Sequence, residues 1–370
     1  MTGAVLKPNM QAATGRIRFL DAAKGIGILI IAWGHLDYLW SPASVWFSSF
    51  KLAIFYIVSG LLSGQRQQES WTTVAKKRIF SLIIPYVVYS VLAVLFHLQY
   101  SANTWAAALK IIKDDFLLTA TLRGISTLWF LPSLYLGEVL FAAVNFPNCT
   151  KKMRISIFLL LPLLLWAASD LFVRLQPVFT GSALNRCLGY LFLTLSRSVV
   201  AFWFIGIGHL LRNHFLHEKP AKLWVVLCAI GVNVGLSLLN TDVDLNHLCF
   251  GKYPLLFFPN GILGSFALLE TLRLLEKHCK LTVSSYCGRH ALFIMATHLP
   301  WYISTRIHVW SMRIAPFENL SLGYYAVTLL CFVAMMLLEW LLISIKQLSK
   351  GILLRHTGKY RFGETIFKYL

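Results

Sequence analysis

The stretch Leu20-Asp-Ala-Ala-Lys-Gly-Ile-Gly-Ile-Leu-Ile-Ile-Ala-Trp-Gly-His35 opens an apolar segment over residues 20–40 and decides the fold class. About 20 mainly apolar residues, folded as a helix, are long enough to cross the roughly 30 Å hydrocarbon core of a bilayer. Lys24 and His35 are eleven residues apart in this stretch. At about 3.6 residues per turn they lie near one helix face, ~16.5 Å apart along the axis. Because burying an ionisable group in a membrane is costly, this pair predicts a functional site.

The whole chain shares this apolar character. It has 370 residues, of which 57% are hydrophobic and 13% are charged. The apolar segments are close to 20 residues long, which predicts membrane-spanning helices rather than the shorter alternating strands of a barrel. We therefore expect an all-α polytopic membrane protein with about ten transmembrane helices. The predicted spans are 20–40, 46–64, 79–98, 127–147, 155–174, 187–211, 222–240, 253–272, 290–308 and 321–345.

The distribution of basic residues predicts the orientation in the membrane. Most of the 34 lysines and arginines fall in segments that are cytoplasmic if the amino terminus is cytoplasmic. This bias follows the positive-inside rule and places both termini in the cytoplasm. The predicted organisation is a cytoplasmic segment at 1–18, a transmembrane domain at 19–345 and a basic cytoplasmic tail at 346–370.

The formal net charge of +19 has two consequences. It predicts attraction to anionic membrane lipid, and it does not predict nucleic-acid binding, because the basic residues are spread over six separate segments. The seven cysteines show no pairing at metal-ligand spacing. We therefore expect no metal site.

Four further stretches carry polar or helix-breaking residues where hydropathy does not favour them. They are Phe50–Gly60 with Lys51, Lys76–Tyr86 with Lys77, Arg78 and Pro85, Thr127–Glu138 with Trp129 and Glu138, and Ser285–His298 with Gly288 and His298. A short loop joins the first two spans, so Lys51 is expected at about the depth of His35. Pro85 is expected to bend its helix. Gly288 is expected to break the loop before the ninth span.

Taken together, these stretches resemble the acyltransferase-3 family, and in particular its fucose 4-O-acetylase-like members. The matching motifs, in chain order, are a basic residue and a histidine with ten residues between them (Lys24 to His35), Phe-x-x-x-x-Phe-x-x-x-Ser-Gly (Phe50 to Gly60), a basic cluster followed by Pro-Tyr (Lys77 to Tyr86), Leu-Trp-Phe-Leu-Pro (Leu128 to Pro132), and Gly-Arg followed by a histidine (Gly288 to His298). The chain departs from the family at Lys51, where many members have a histidine. It also departs at Ser81, where many have a second arginine.

The resemblance implies an integral-membrane enzyme that acylates hydroxyl groups of envelope or exported glycans at the bacterial cytoplasmic (inner) membrane. The implied acyl donor is acetyl-CoA or another acyl-CoA, and the implied partners are that donor and a sugar or glycan acceptor. Imidazole titrates near neutral pH, which suits His35 to the role of general base. The polyanionic donor needs cations, for which the candidates are Lys24, Arg16, Arg18, Lys77 and Arg78. Candidate acceptor contacts are Lys51, Trp129, Glu138 and His298.

Two other classes of protein remain open on the sequence alone. In a multi-pass transporter or flippase for a glycan precursor, His35, Lys51 and Glu138 would form a proton or substrate path. A non-catalytic membrane partner would retain the scaffold only. Each residue also has a structural interpretation: Lys24 and Arg78 as topology anchors, Lys51 as a side chain extended to the interface, and the histidines and Glu138 as packed polar groups.

Overall fold

The computed structural model describes residues 16–36, 41–63, 69–314 and 321–356, with the side chains of 314 and 350–356 left aside. Its helices are α1 (Arg18–Gly34), α2 (Pro42–Ser48), α3 (Ala53–Leu62), α4 (Trp71–Arg78), α5 (Ile84–Ser101), α6 (Trp105–Ala120), α7 (Phe130–Ala143), α8 (Lys151–Phe179), α9 (Ala183–His217), α10 (Leu223–Leu239), α11 (Phe257–Leu275), α12 (Thr282–Arg289), α13 (Ala291–Thr297), α14 (Ile303–Ile314) and α15 (Leu322–His356). A short antiparallel hairpin, β1 (Val243–Asp244) and β2 (Cys249–Phe250), joins α10 to α11.

The protein is an all-α polytopic membrane protein. Within the described residues, seven helical stretches are long and apolar enough to cross a membrane: Pro42–Leu62, Trp71–Ser101, Ser126–Asn148, Lys151–Phe179, Ala183–His217, Pro254–Leu275 and Leu322–Ser349. Three of the ten predicted spans fall outside this set. Helices α1 and α10 have 17 residues each, and the ninth span is not one helix.

The ninth span, predicted as a continuous helix over 290–308, is broken. Helix α13 ends at Thr297 and α14 begins at Ile303, with Tyr302 at a positive φ of 60° between them. Gly288 was expected in a loop, but it lies inside α12. The last helix continues to His356, so the first part of the predicted tail is helical.

Some predictions concern residues outside the described part of the chain. These are most of the amino-terminal segment, the carboxyl-terminal part of the tail, and the basic residues Lys7, Arg66, Lys359, Arg361 and Lys368.

Glycines bring the central helices into close contact. A Cβ placed on Gly25 of α1 would lie 1.8 Å from the Ser284 carbonyl oxygen of α12, and one on Gly288 would lie 1.8 Å from the Asp21 carbonyl oxygen. The pair α3 and α9 repeats this arrangement, because a Cβ on Gly60 would lie 2.1 Å from the Ile205 carbonyl oxygen. In a membrane, where helices gain little from hydrophobic burial, such close backbone approach is a main source of packing energy.

The helix that contains Pro85 is irregular. Between α4 and α5 the chain forms a π-helical segment, Ile79–Ile83. Proline has no N–H to donate to the preceding turn, so the hydrogen-bond ladder is interrupted at this point. A π-helical segment inside a long helix is a common accompaniment of such an interruption. It sets Arg78, the last residue of α4, at the boundary between two helical geometries.

Two ends of the helix bundle are relevant to function. We call the end that contains Arg18, Lys77 and Arg273 the basic end; there the Arg273 guanidinium lies 6.0 Å from the Phe19 ring centre. We call the opposite end the His35 end. At that end Thr127 donates a hydrogen bond to the Met295 carbonyl (2.7 Å), which ties the start of the α7 span to α13.

Candidate active site

His35 lies at the carboxyl end of α1. Its backbone remains in the helical region, and its N–H donates to the Ile31 carbonyl at 3.2 Å, so the last helical turn fixes its position. The side chain is half-buried. Its ring centre is 5.3 Å from that of His298, with the two ring planes inclined at 40°. The structure therefore brings together two histidines that are 263 positions apart in the chain (298 − 35).

His298 is fully buried at the break between α13 and α14. Its Nδ1 is 2.6 Å from the Ile294 carbonyl oxygen, and its own carbonyl accepts a hydrogen bond from the Ser304 N–H at 2.8 Å. These contacts fix the orientation of the His298 ring and the backbone of the turn that follows α13. The break in the ninth span is thus an ordered turn that presents an imidazole to the end of α1.

Lys51 lies beside the same end of α1, in the turn between α2 and α3. Its Nζ donates to the Ser48 hydroxyl at 3.1 Å. A Cβ placed on Gly34 would lie 3.7 Å from Nζ, so the ammonium group faces the residue that precedes His35. The absence of a side chain at Gly34 leaves this space open. His35, His298 and Lys51 form a cluster that we call the histidine–lysine cluster.

The β1–β2 hairpin carries a carboxylate near this cluster. Asp244 accepts hydrogen bonds from the His247 Nδ1 (2.6 Å) and from the Asn246 N–H (2.9 Å). Burial by itself would raise the pKa of Asp244, but these hydrogen bonds and the nearby His247 and Lys51 side chains outweigh it and hold the pKa below its usual value. Asp244 is therefore held as an anion at the edge of the cluster.

Trp129 is buried in the core at the His35 end. The guanidinium of the fully buried Arg197 lies 4.7 Å from its ring centre, a distance typical of a cation–π contact. Arg197 also donates to the carbonyls of Arg123 and Asn246, which anchors the hairpin loop to α9. The indole of Trp129 thus contacts a protein side chain that sequence analysis did not consider.

Lys24 lies one turn beyond Asp21 on α1 and forms an ion pair with it, with Nζ 2.7 Å from Oδ1. Its side chain is 28% exposed. Arg16 is exposed just before the helix, and Arg18 is half-buried at its first turn. These three predicted donor-binding cations therefore lie at the start of α1, with Arg16 just before the helix.

Arg78 and Glu138 form the second ion pair of interest. Arg78 Nη2 is 2.7 Å from Glu138 Oε1, and Ser59 donates to the same carboxylate oxygen. Glu138 is 5% exposed. The predictions assigned Arg78 to the donor and Glu138 to the acceptor, whereas the structure joins the two side chains in a single contact.

A small cleft of about 40 Å³ adjoins this ion pair. Its lining includes Ser59, Ser63, Glu69, Glu138 and Asn145. Lys77 pairs with Glu69 at its rim. Ser63 contacts the Nδ1 of His209 at 3.0 Å. One side of the cleft is thus polar. The ion pairs Lys77–Glu69 and Arg78–Glu138 lie next to it.

The structure therefore separates the predicted site residues into groups. His35, His298 and Lys51 lie together at the His35 end, while Lys77, Arg78 and Glu138 lie together at the cleft. Lys24, Arg16 and Arg18 lie at the start of α1, and Trp129 is buried in contact with Arg197.

Sequence patterns did not single out Arg197, Glu339 and Asp244, three charged residues that lie near the His35 end. Arg197 and Glu339 lie inside predicted spans and are fully buried, so the rule that flagged His35 also applies to them. Both carboxylate oxygens of Glu339 are 2.8 Å from the Thr297 hydroxyl, next to His298. Asp244 had no such sequence signal, because it lies in a loop and reaches the cluster only through the hairpin.

Comparison with known proteins gives one match. A family model described as an acyltransferase domain matches residues 17–344, which include α1 to α14 and most of α15. No curated protein and no solved structure matches the chain. Within the described residues, no group of three or more histidine, cysteine, aspartate and glutamate side chains could hold a metal ion.

Proposed function

Because this chain belongs to the acyltransferase-3 family and is a multi-pass membrane acyltransferase, we propose that it transfers an acyl group from acyl-CoA to a hydroxyl of a bacterial glycan. We infer that the acyl group is acetyl, that the acceptor is an envelope or exported glycan, and that His35 is the general base. The observation that carries the proposal is the histidine–lysine cluster at the end of α1, where a half-buried imidazole lies next to an ammonium group.

The chemistry of O-acylation accounts for the groups in this cluster. A sugar hydroxyl is a poor nucleophile until a base removes its proton, and imidazole is the side chain best matched to that task near neutral pH. The thioester carbonyl gains negative charge as the hydroxyl attacks. The Lys51 ammonium, with one hydrogen bond to Ser48, is suited to stabilise that charge or an acidic group of the acceptor.

The donor is expected at the basic end. The phosphates of acetyl-CoA require cations, and Lys24, Arg16, Arg18, Lys77 and Arg78 supply them. In the structure Lys24 is paired with Asp21, Lys77 with Glu69, and Arg78 with Glu138. Donor binding therefore requires an exchange of partners, and the contact of Glu138 with Arg78 favours a role for Glu138 on the donor side.

On the acceptor side, Lys51 remains a candidate for contact with the sugar, whereas the fully buried His298 lies against His35. Trp129 supports the acceptor site indirectly. It packs against Arg197, and Arg197 anchors the hairpin next to the histidine–lysine cluster. The protein would work in the bacterial inner membrane, with acyl-CoA on the cytoplasmic side. The family match supports an acyltransferase over a transporter, since it covers residues 17–344.

The test compares cells that produce the wild-type chain, the His35→Ala variant or no chain. We expect mass spectrometry to find glycans heavier by one acyl group with the wild type only. Membranes containing the wild type should release free CoA from acetyl-CoA in the presence of acceptor, whereas a transporter should not.

The matched control is His278→Ala, which removes an exposed histidine from the loop after α11. It should retain full activity. Both variants should be inserted in the membrane at wild-type levels. Acylation by the His35→Ala variant would reject His35 as the base, and absence of any acyl difference with the wild type would reject the function.

A further inference from the structure

The ring of His298 has one hydrogen-bonded nitrogen and one that has none. A backbone carbonyl can only accept, so the Nδ1 that lies 2.6 Å from the Ile294 oxygen must carry the hydrogen. In the neutral ring the other nitrogen, Nε2, then has a lone pair and no hydrogen. The backbone of α13 therefore fixes His298 as a hydrogen-bond acceptor at Nε2.

The lone pair of His298 Nε2 accepts no hydrogen bond. The atom is buried, and it has no hydrogen-bond partner among the described residues. A buried acceptor without a partner destabilises a protein, and the penalty is larger where no water competes. The neighbouring Thr297 contacts the Phe293 carbonyl and Glu339, so it does not satisfy this nitrogen. A partner that is engaged only during the reaction would explain it.

His35 is the side chain in position to be that partner. The two ring centres are 5.3 Å apart, which lets a ring nitrogen of each come within hydrogen-bond distance after a small rotation of the His35 ring. Neither ring nitrogen of His35 bonds to another described residue, so no such hydrogen bond opposes this rotation. His298 is fully buried and held at Nδ1.

We propose that His298 is a positioning residue for the acyl-transfer step, with its Nε2 accepting a hydrogen bond from the N–H of His35. This inference rests on the proposed function and adds to it the group that orients the base. The hydrogen bonds then run from the acceptor hydroxyl to His35, from His35 to His298, and from His298 to the Ile294 carbonyl. The second nitrogen of His35 is thereby kept unprotonated and directed at the hydroxyl.

The step balances without any further reactant. The hydroxyl proton moves to the free nitrogen of His35 as the hydroxyl oxygen forms a bond to the thioester carbonyl carbon. The carbon–sulfur bond then breaks, and the same proton passes from His35 to the sulfur, which leaves as the thiol of CoA. His298 keeps its own proton throughout and holds the imidazolium of His35 while it exists.

Two substitutions distinguish this role from a purely structural one. In His298→Gln the side-chain amide can donate to the Ile294 carbonyl while its oxygen accepts from His35, but it cannot act as a base. In His298→Leu the side chain fills similar space and accepts nothing. The reaction is followed as transfer of radiolabel from acetyl-CoA labelled in the acetyl group to native host membranes that supply the acceptor.

We expect His298→Leu to lower the maximal rate on the order of 100-fold, with the KM for acetyl-CoA unchanged. His298→Gln should retain activity within about tenfold of the wild type, because it restores the acceptor. The matched control is His308→Leu on α14, the same replacement at a histidine outside the cluster, which should have wild-type rates.

Three results would overturn the inference. One is wild-type activity in both His298 variants, and another is a folded His298→Gln protein that has lost activity by 100-fold or more, which would make His298 itself the base. The third is a change confined to KM. If His298→Leu fails to fold, the glutamine variant alone decides. Failure of the proposed function is recognised separately, because then the wild type transfers no label.

Discussion

The chemistry at the His35 end depends on side chains that α1 cannot supply alone. His35 comes from the last turn of α1, Lys51 from the turn before α3, and His298 from a break after α13. Lys24, on the first turns of α1, is paired with Asp21. Lys24 and His35 therefore lie on the same helix but contact different residues.

Lys24 gives a prediction about the donor. Lys24→Ala should raise the KM for acetyl-CoA by about tenfold, which corresponds to about 1.4 kcal/mol, while the maximal rate changes little. Lys24→Arg should retain the wild-type KM, because it keeps the charge and the contact with Asp21. Initial rates of CoA release at varied acetyl-CoA concentrations measure both. A fall in maximal rate without a change in KM would contradict a role in donor binding.

At the scale of elements, two glycine crossings set the relative positions of the helices. Gly25 and Gly288 let the backbones of α1 and α12 touch, and Gly60 does the same for α3 and α9. Gly60 and Gly288 both belong to sequence motifs, but Gly288 was expected in a loop. The spacing of glycines in a sequence does not reveal which helix each one faces, since that depends on the packing of segments far apart in the chain.

Gly25→Ala tests the first crossing. The added Cβ would lie 1.8 Å from a carbonyl oxygen and 2.9 Å from the Gly288 nitrogen, so α1 and α12 must separate. We expect a loss of about 1–3 kcal/mol, as for other overpacked contacts. It should appear as a lower midpoint of thermal unfolding for the detergent-purified protein. Activity should fall as well, because α1 carries His35.

The control for this substitution lies on α10. A Cβ on Gly231 would meet nothing within 4 Å, so Gly231→Ala creates no clash. It should leave the unfolding midpoint unchanged or raise it, because alanine favours a helix over glycine by roughly 1 kcal/mol. Equal destabilisation by the two substitutions would show that contact between α1 and α12 is not the cause.

At the scale of the whole molecule, the predicted spans and the observed helices agree in order and type. Seven helical stretches within the described residues meet the requirements for a membrane span, α1 and α10 are slightly shorter, and the ninth span is divided. Hydropathy predicted the existence of these elements because lipid requires long, internally hydrogen-bonded apolar segments. Hydropathy did not predict the break after Thr297. The local signal for it is Pro300, which lies between α13 and α14 and has no N–H to donate to the preceding turn.

The orientation in the membrane can be tested with single cysteines. The positive-inside prediction places the β1–β2 hairpin outside and the loop after α11 inside. In a chain whose other cysteines are replaced by serine, Lys252→Cys on intact cells should react with a membrane-impermeant maleimide. Native Cys279, alone in the same background, should react only after lysis. Both positions are exposed, so accessibility to solvent does not limit either reaction. The reverse pattern would invert the topology.

The sequence by itself determined the fold class, the family and the identity of His35 as a candidate base, because apolar segment length, charge bias and motif spacing are properties of neighbouring residues. Tertiary structure alone decided that His298 lies beside His35, that Arg78 is paired with Glu138, and that Arg197 holds the hairpin loop of Asn246 against α9. These contacts join helices and a hairpin far apart in the chain. They depend on which helices meet at the glycines and on where the turn after α13 packs, and neither hydropathy nor the local pattern of residues shows which distant segments come together.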